Sequence, residues 1–513
     1  MPSPRPQTID PVALQAVSEA AGRSSDIVGD ADLTVTGVTL STFSVRPGDL
    51  YAALPGANAH GASYAAAAVR EGARALLTDG RGLELAREAG VDVPAVVVAD
   101  PRSVLGRVAA AVYGTGTPGG PGVRSFGITG TNGKTTTAYL LAAALEALGR
   151  STGLIGTVET RIGQERVPSA RTTPESPDLH ALLAVMRERG VDDCVMEVSS
   201  HALVLHRVDE VVYDVALFTN LSQDHLDFHD GMEDYFAAKA SLFTPERSRA
   251  GVVCVDDAWG RRLASQAGVP VRTVSSDPAV PADLVITAVD GPAFVLEGDG
   301  VSLALRSPLP GGFNRTNTAV AAAALLVAGH DPAEVARAVG AEPRVPGRME
   351  VVAAPEGADA ALLPRVVVDF AHTPDAVAAA LAALREGTTG RLVAVLGAGG
   401  SRDPGKRPGM GRAAADHADL VVVTDDNPRS EDPAAIREAV ASGARQGGAE
   451  LDVVADRRAA VEHAVRAAGP GGVVALLGKG HESGQEVEGV VTPFDDRVVA
   501  LEALTALATE VAR

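Results

Sequence analysis

One glycine-rich stretch of the 513-residue sequence combines the residue types that bind phosphate, and it runs Thr129-Gly-Thr-Asn-Gly-Lys-Thr-Thr136. The sequence around it predicts a short buried strand over Val123 to Thr129, a tight glycine turn and a helix after Lys134. The turn amides and the unpaired N–H groups of the first helical turn then converge on one point, where the helix dipole also favours negative charge. We therefore predict that this loop binds a phosphate chain. The predicted contacts are Gly130, Thr131, Asn132, Gly133, Lys134, Thr135 and Thr136.

The loop departs from the common P-loop spacing. The usual pattern places a glycine five residues before the one that precedes lysine, and that place is Ile128 here. Lys134 supplies a cation for the outer phosphates, and the hydroxyl of Thr135 or Thr136 can reach a magnesium ion bound to them. An ordinary glycine turn and a dinucleotide fingerprint are the alternatives. A lysine followed by threonines suits a triphosphate with its metal better than a pyrophosphate.

Polar residues also follow two predicted strands further along the chain, at Glu197 to His201 and at Asn220 to His225. Strands that alternate with helices predict a mostly parallel sheet, in which ligands sit beyond the carboxyl ends of the strands. Glu197 and His225 would then face the same crevice as Thr135 and could hold one or two magnesium ions. A single such residue is more often a cap or a hydrogen-bond partner, but two beside a phosphate loop favour metal ligands.

A predicted amphipathic helix, Met232 to Phe243, carries Lys239 among small residues. Its aromatic and leucine side chains are expected to face the core. A solvated lysine is the default interpretation of Lys239 from the pattern alone.

The last third of the chain repeats the alternation of strands and helices. Each of four predicted strands is followed by a polar loop, which indicates a second doubly wound domain with a binding face along one edge of its sheet. The loops are Asp369 to Asp375, Gly397 to Asp403, Asp425 to Arg429 and Gly478 to Glu482.

The length is sufficient for about three domains, each with its own core. Gly114 to Gly122 is rich in glycine and proline and is predicted to be a hinge. We predict an α/β protein with an N-terminal domain at 1–122, a central P-loop-type domain on a mostly parallel sheet at 123–346, and a Rossmann-like C-terminal domain at 347–513.

The net charge of −20 argues against bulk binding to nucleic acid or anionic membrane, because no run of lysine and arginine offsets it. Cys194 and Cys254 lie far apart without a C-x-x-C motif, which fits a reducing compartment. The first ten residues have no apolar core of a signal peptide, and no apolar run is long enough to span a bilayer. We therefore predict a cytoplasmic protein.

Together these motifs resemble those of the Mur ligases, the ATP-dependent enzymes that add amino acids to peptidoglycan precursors. The closest resemblance is to the branch that extends UDP-N-acetylmuramoyl-L-alanyl-D-glutamate, and it runs from about Val35 to the C-terminus. The segments that carry it are Thr129 to Thr136, Thr172 to Pro174, Glu197 to His201, Asn220 to His229, Ala237 to Lys239, Asp369 to Pro374, Asp426 to Arg429 and Gly478 to Glu482.

The resemblance implies a UDP-binding N-terminal domain, a central ATPase domain and a C-terminal domain that closes over it with the incoming amino acid. It implies catalytic roles for Lys134, Glu197, His225 and Lys239. It implies magnesium ligation by Thr135, Glu197, His225 and a carbamylated Lys239. Further implied nucleotide contacts are Asn317, Arg348 and Asp369. Implied contacts to the UDP-muramoyl-peptide are Ser41, Thr172, Thr173, Ser199 and Arg207. Implied contacts to the added amino acid are Arg402, Asp426, Asn427, Pro428, Arg429, Gly478 and Glu482.

The Asn-Pro-Arg loop at Asn427 marks the diaminopimelate branch of the family, whereas lysine-adding relatives lack that arginine. The resemblance thus implies ATP and Mg²⁺, the UDP-muramoyl-dipeptide and diaminopimelate as substrates, and an acyl phosphate intermediate. We also predict a monomer, although the sequence leaves the oligomeric state open. Related ligases that add D-glutamate, D-alanyl-D-alanine or lysine, or that polyglutamylate folate, are the nearest alternatives. A nucleotide-binding regulator without turnover is another. The sequence leaves open whether the meso or the LL isomer is used.

Two places depart from the family pattern. A motif usually read as Asp-Ser-Arg is Leu40-Ser41-Thr42 here, and a glutamine common near Arg207 is Leu205. Both affect contacts to the UDP-muramoyl-peptide rather than the class of reaction.

Overall fold

The computed structural model describes residues 4–116, 122–167, 171–401 and 403–511. Three parallel-rich sheets with helices against them follow one another along the chain, so the predicted three-domain α/β class is confirmed. The predicted hinge at Gly114 to Gly122 lies mostly outside the described residues.

The N-terminal domain is built on a five-stranded sheet. Its elements are β1 (Val12–Ala13), α1 (Leu14–Ala21), β2 (Asp26–Val28), β3 (Thr34–Val35), β4 (Gly37–Thr39), β5 (Asp49–Ala52), α2 (Ala65–Arg70), β6 (Ala75–Thr78), α3 (Gly80–Glu88), β7 (Ala95–Val97) and α4 (Pro101–Tyr113). The sheet order is β2-β7-β6-β5-β4, with β2 antiparallel to β7 and the other pairs parallel.

The sequence also predicts one short strand over Val35 to Leu40 in this domain, and the structure interrupts it. β3 pairs with β1 in a separate two-stranded sheet, whereas β4 joins the main sheet. The change occurs at Thr36, whose N–H donates to the Gly48 carbonyl at 2.9 Å. The prediction of one continuous strand was therefore wrong, because this bend depends on a contact with a distant residue.

The central domain is built on an eleven-stranded sheet of order β11-β10-β9-β12-β8-β13-β14-β15-β16-β17-β18. The strands are β8 (Arg124–Thr129), β9 (Thr152–Ile155), β10 (Thr160–Ile162), β11 (Glu165–Val167), β12 (Asp193–Glu197), β13 (Tyr213–Phe218), β14 (Ser248–Cys254), β15 (Val271–Ser275), β16 (Leu284–Asp290), β17 (Ala293–Gly298) and β18 (Val301–Arg306). The helices are α5 (Lys134–Ala147), α6 (Ser176–Glu188), α7 (Ser200–Val204), α8 (Met232–Ala240), α9 (Ala258–Gln266), α10 (Gly312–Val327) and α11 (Pro332–Ala338). The strands from β9 to β16 in this order are parallel, and hairpins extend both edges.

Alternate side chains of the central strands enter two separate cores. Val195 of β12 packs in the core beneath α5 and α10, whereas Cys194 and Met196 pack in the core beneath α6 and α8. Burial on both faces is typical of parallel sheets. The parallel pairing of β8 with β12 and β13 places the carboxyl ends of the three strands side by side, which positions the loops that follow them.

The C-terminal domain is built on a six-stranded sheet of order β19-β20-β24-β21-β22-β23. Its elements are β19 (Glu350–Val351), β20 (Arg365–Asp369), α12 (Pro374–Arg385), β21 (Leu392–Leu396), α13 (Lys406–His417), β22 (Leu420–Val423), α14 (Pro433–Ala444), β23 (Glu450–Val453), α15 (Arg457–Ala468), β24 (Val473–Leu477), the hairpin β25 (Gly484–Val487) and β26 (Val490–Pro493), and α16 (Asp496–Val511). Strands β20 to β23 in this order are parallel, as the four predicted strand-and-loop units require. Across the described residues, every helix is too short or too polar to span a bilayer.

A buried ion pair fastens the C-terminal domain behind its binding edge. Arg457 at the start of α15 binds Asp496 at the start of α16 through two hydrogen bonds of 2.8 and 2.7 Å, and both side chains are fully buried. Arg457 also donates to the carbonyls of Leu477 at 3.1 Å and of Asp425 at 3.5 Å. One guanidinium group thus holds the ends of two loops that carry predicted site residues.

Replacement of Asp496 by alanine should strongly destabilise this domain. An unpaired buried guanidinium group typically costs about 3–5 kcal/mol in the free energy of unfolding, which urea denaturation followed by circular dichroism would measure. The exposed pair Arg458–Glu502 joins the same two helices and supplies the control. Glu502→Ala should leave the urea midpoint unchanged, because exposed ion pairs contribute little. Equal shifts in the two variants would contradict the importance of the buried pair.

Candidate active site

A cavity of about 450 Å³ lies between the central and C-terminal domains. It brings together residues from all three site groups predicted for these domains. Those lining it are Thr131, Asn132, Gly133, Lys134, Thr135, Thr172, Thr173, Glu197, Ser199, Arg207, His225, Arg348, Asp426, Asn427, Arg429, Gly478 and Glu482. Of the other predicted residues, Gly130, Thr136, Asp369 and Pro428 are adjacent in the chain to the lining, and Asn317 lies beside Gly133. Lys239 contacts Gly130, Ser41 lies in the N-terminal domain, and Arg402 lies outside the described residues.

The glycine-rich loop has the backbone that its sequence predicts. It connects β8 to α5, and Gly130 and Gly133 have φ values of 149° and 86°, which favour glycine. A Cβ atom on Gly133 would lie 2.7 Å from the Asn317 side-chain oxygen, so this position must remain small. Asn220, after β13, fixes the loop by accepting from the backbone N–H of Asn132 at 2.9 Å.

Lys134 lies directly over the loop. Its ammonium group donates to the carbonyls of Gly130 and Thr131, both at 2.9 Å. Burial lowers its pKa, while the charge of Glu197 opposes that shift. A half-buried cation beside helix-terminal N–H groups is suited to binding the outer phosphates of a nucleotide.

Glu197 is a buried carboxylate held by the residues around it. It accepts hydrogen bonds from the Thr135 hydroxyl at 3.0 Å, from the Thr157 N–H at 2.8 Å and from the Thr157 hydroxyl at 3.0 Å. The Arg348 guanidinium group from the C-terminal domain donates to the same Thr135 hydroxyl at 3.2 Å. Thr157 carried no motif in the sequence and was not predicted as a site residue.

Lys239 is 1 % exposed and lies beside the glycine loop. Its ammonium group donates to the Gly130 carbonyl at 2.8 Å and lies 4.5 Å from the centre of the Tyr235 ring. Burial, followed by the positive charge of Lys134, lowers the pKa of Lys239 well below its ordinary value. The default interpretation of a solvated helix lysine was therefore wrong, since α8 directs this side chain into the site.

His225 and Asp224 occupy the loop after β13. Burial lowers the pKa of His225 to about 3, with Lys134 and Lys239 contributing and Asp224 opposing. Asp224 lies 3.5 Å from Lys406 and 3.8 Å from His372, both in the C-terminal domain. Burial alone would raise the pKa of Asp224, but its contact with His372 and the charge of Lys406 hold it well below its ordinary value. Asp224 thus links the two domains across the cavity, a role the sequence did not indicate.

Residues predicted to contact the UDP-muramoyl-peptide form one wall. The Thr173 hydroxyl donates to the Glu197 carbonyl at 2.8 Å and accepts from the Ser199 N–H at 3.1 Å. Glu175 lies 2.9 Å from Arg207 and 3.2 Å from Arg102, which belongs to the N-terminal domain. This wall therefore continues towards the N-terminal domain.

Two further predicted nucleotide contacts are positioned by the start of the C-terminal domain. Asp369 accepts from the backbone N–H groups of Met349 and Ala371, both at 2.8 Å, and burial raises its pKa although Arg348 opposes that shift. Arg348 lies 4.5 Å above the Phe370 ring. In this conformation Asp369 supports the segment that carries Arg348.

Residues predicted to bind the added amino acid form the opposite wall. Arg429 donates to the Gly400 carbonyl at 2.7 Å and lies 3.4 Å from Glu486. Asn427 donates to Glu482 at 2.7 Å. Buried Lys479 lies next to both Asn427 and Glu482, and it was not predicted as a site residue from the sequence.

The donor set fits a magnesium ion that is shared with phosphate oxygens. Among the residues described, no three histidine, cysteine, aspartate or glutamate side chains are grouped closely enough to hold a metal by themselves. Glu197, His225 and the Thr135 hydroxyl nevertheless line one cavity beside the glycine loop. Such an incomplete oxygen-rich set is typical of magnesium sites that substrate phosphates complete.

Three family models match the chain in order. They describe the Mur ligase family catalytic domain at residues 34–113, the Mur ligase middle domain at 128–325, and the Mur ligase glutamate ligase domain at 347–480. One match falls in each of the three domains.

Curated relatives cover nearly the whole chain. The UDP-N-acetylmuramoyl-L-alanyl-D-glutamate--2,6-diaminopimelate ligase of Streptomyces coelicolor is 51 % identical, with 98 % of each chain covered. The UDP-N-acetylmuramyl-tripeptide synthetase of Leifsonia xyli is 47 % identical, with 97 % of this chain and 98 % of the relative covered. A solved structure of a UDP-N-acetylmuramoyl-L-alanyl-D-glutamate--2,6-diaminopimelate ligase is 31 % identical, with a TM-score of 0.65 over 97 % of this chain and 99 % of the other. The chain therefore belongs to the Mur ligase family.

Proposed function

We propose that this protein uses ATP to join diaminopimelate to the D-glutamyl carboxylate of UDP-N-acetylmuramoyl-L-alanyl-D-glutamate. The observation that carries the proposal is the single cavity in which a phosphate-binding loop, the Thr172–Thr173 wall and the Asn427–Arg429 loop face one another. The reaction would belong to peptidoglycan precursor synthesis in the cytoplasm, with the protein as a monomer.

Each domain would contribute one substrate. Residues 1–122 would bind the UDP end of the acceptor, with Ser41 among the contacts. Residues 123–346 would bind ATP. Residues 347–513 would bring the incoming amino acid. The contact of Arg102 with Glu175 supports this assignment, because it places the N-terminal domain beside the wall that would hold the peptide end of the acceptor.

The nucleotide's phosphates would lie against Gly130 to Thr136, with Asn317 and Arg348 beside them. Thr135, Glu197, His225 and a modified Lys239 would hold magnesium, which offsets the negative charge on the transferring phosphoryl group when bound. Lys134 would neutralise the negative charge of the outer phosphate oxygens.

Lys239 has the properties required for carbamylation. Its lowered pKa favours the neutral amine, whose nitrogen can attack carbon dioxide, form a C–N bond and lose a proton to give a carbamate. The product is an anion in place of a cation. That change removes the repulsion from Lys134 and supplies a ligand for magnesium.

The chemistry follows from this arrangement. The D-glutamyl carboxylate attacks the γ-phosphorus of ATP, releases ADP and becomes an acyl phosphate. The amine of diaminopimelate then attacks the acyl carbon, and inorganic phosphate leaves. Water would destroy the acyl phosphate, so the Asp224 contacts with Lys406 and His372 have a function in holding the two domains closed.

The amino-acid pocket has groups for both charges at the distal end of diaminopimelate. Arg429 and Arg402 would bind the distal carboxylate, and Glu482 would pair with the distal ammonium group. Asp426, Asn427, Pro428 and Gly478 would shape the pocket around them. Lysine offers no distal carboxylate to the arginines, so it should be a poor substrate.

The proposed reaction can be tested directly. With ATP, magnesium and the UDP-muramoyl-dipeptide, mass spectrometry should detect a product enlarged by diaminopimelate minus water, with one ADP released per product. Each diaminopimelate isomer and lysine should be offered separately. ADP release without either co-substrate would instead indicate a plain ATPase, and a lysine adduct as the main product would contradict the assigned specificity.

Lys239→Ala should reduce turnover by about 100-fold or more, because an essential part of the metal site is removed. Formate or acetate should partly restore activity, since a small carboxylate can occupy the place of the carbamate. Lys134→Ala is the matched control, and it should lose activity without any rescue by these anions. Near-normal turnover of either variant, or equal responses to acetate, would contradict the roles given to these lysines.

Arg429→Ala should raise KM for diaminopimelate by about 10- to 100-fold, because hydrogen bonds to a charged group contribute about 1.5–3 kcal/mol. The KM values for ATP and for the UDP-muramoyl-dipeptide should remain close to those of the unmodified enzyme. Arg412→Ala, which removes an exposed arginine that pairs with Asp416, should alter none of the three constants. A similar change in all three for Arg429→Ala would indicate a general structural role.

A further inference from the structure

Lys479 is a fully buried lysine inside the Gly478 to Glu482 turn. Its ammonium group lies 3.3 Å from Asp426, 3.2 Å from the Asn427 side-chain oxygen and 3.5 Å from Glu482. A buried ammonium group is costly unless several partners compensate it. All three partners here belong to the amino-acid pocket.

The contacts of Asn427 fix the orientation of its amide. The side-chain oxygen accepts from Lys479 and, at 3.0 Å, from the Glu486 N–H, so the amide nitrogen must point the other way. It donates to Glu482 at 2.7 Å. Because both of these groups only donate, Lys479 and the Glu486 N–H together determine which end of Asn427 meets the Glu482 carboxylate, and Lys479 is the one of the two that also carries a charge beside Glu482.

The charges around Glu482 also require Lys479. Burial and the neighbouring charge of Asp426 raise the pKa of Glu482, and Lys479 opposes that shift. The buried guanidinium group of Arg457 also faces these carboxylates from behind the sheet edge. Of these groups, Lys479 approaches Glu482 most directly, at 3.5 Å.

We propose that Lys479 is a positioning residue that keeps Glu482 charged and correctly oriented, and so gives the enzyme its preference for an amino acid with a second ammonium group. The inference rests on the proposed function of the pocket. Lys479 does not line the cavity, yet it would control the discrimination between diacids that have a second amino group and diacids that lack one. Lys479 acts through Asn427 and Glu482 and makes no contact with the substrate.

The test compares diaminopimelate with 2-aminopimelate, which has the same two carboxylates but lacks the second amino group. Lys479→Gln removes the charge and keeps a polar side chain of similar length. It should lower kcat/KM for diaminopimelate by about tenfold or more relative to that for 2-aminopimelate, because residues in one hydrogen-bonded network are energetically coupled. The KM values for ATP and the UDP-muramoyl-dipeptide, together with the melting temperature, report whether the fold is intact.

Two further variants separate positioning from packing. Gln485→Ala perturbs the same loop without removing a charge, because Gln485 donates to the Asp426 carbonyl at 2.8 Å, and it should retain the discrimination. Glu482→Gln should lose the discrimination, and adding Lys479→Gln to it should cause no further loss.

Two results would overturn the inference. One is an equal loss of kcat/KM for both amino acids in Lys479→Gln, and the other is an additive loss of discrimination in the double variant. The same holds if Lys479→Gln does not fold and Lys479→Met retains the discrimination. Failure of the unmodified protein to ligate diaminopimelate would overturn the proposed function, and this inference with it.

Discussion

Two lysine ammonium groups share one carbonyl oxygen in this protein. Lys134 and Lys239 both donate to the Gly130 carbonyl, at 2.9 and 2.8 Å; Lys239 is buried and Lys134 is half-buried in the cavity wall. Two like charges at this separation in a site of low dielectric cannot both be retained at low cost. The conflict is resolved when one amine becomes neutral. Burial and the charge of Lys134 lower the pKa of Lys239 well below its ordinary value, which favours Lys239 as the neutral amine. Two cations this close together are unfavourable without negative charge beside them. The site is therefore suited to binding anions.

The rest of the architecture places other groups around that pair. The adjacent strands β8, β12 and β13 end at the same edge, so the glycine loop, Glu197 and His225 meet without long connections. The C-terminal sheet presents its own loop edge to the same space, and Arg348, His372 and Lys406 cross to the central domain. Each domain is thus a rigid support for one part of a site that no single domain contains.

Much of this arrangement could be predicted from the sequence, because strand-end loops in parallel sheets converge by geometry. The glycine loop, Glu197 and the four C-terminal loops were found in this way. The missed features depend on contacts between distant residues. Thr157 follows β9 without a motif, and Asp224 meets cations about 150 to 180 residues further along the chain. Lys479 is adjacent to a predicted residue, but only packing reveals that its amine faces Asn427.

The dual attachment of Arg457 has a consequence for how specificity can change. One guanidinium group binds the carbonyls before both the Asp426 loop and the Gly478 turn, so these two halves of the proposed amino-acid pocket are held in a fixed alignment by the same side chain. Exchange of one loop with a relative would leave it mismatched to the other. Transplantation of the whole C-terminal sheet with its helices would preserve their alignment, so the proposed pocket would pass to another chain only as an entire domain.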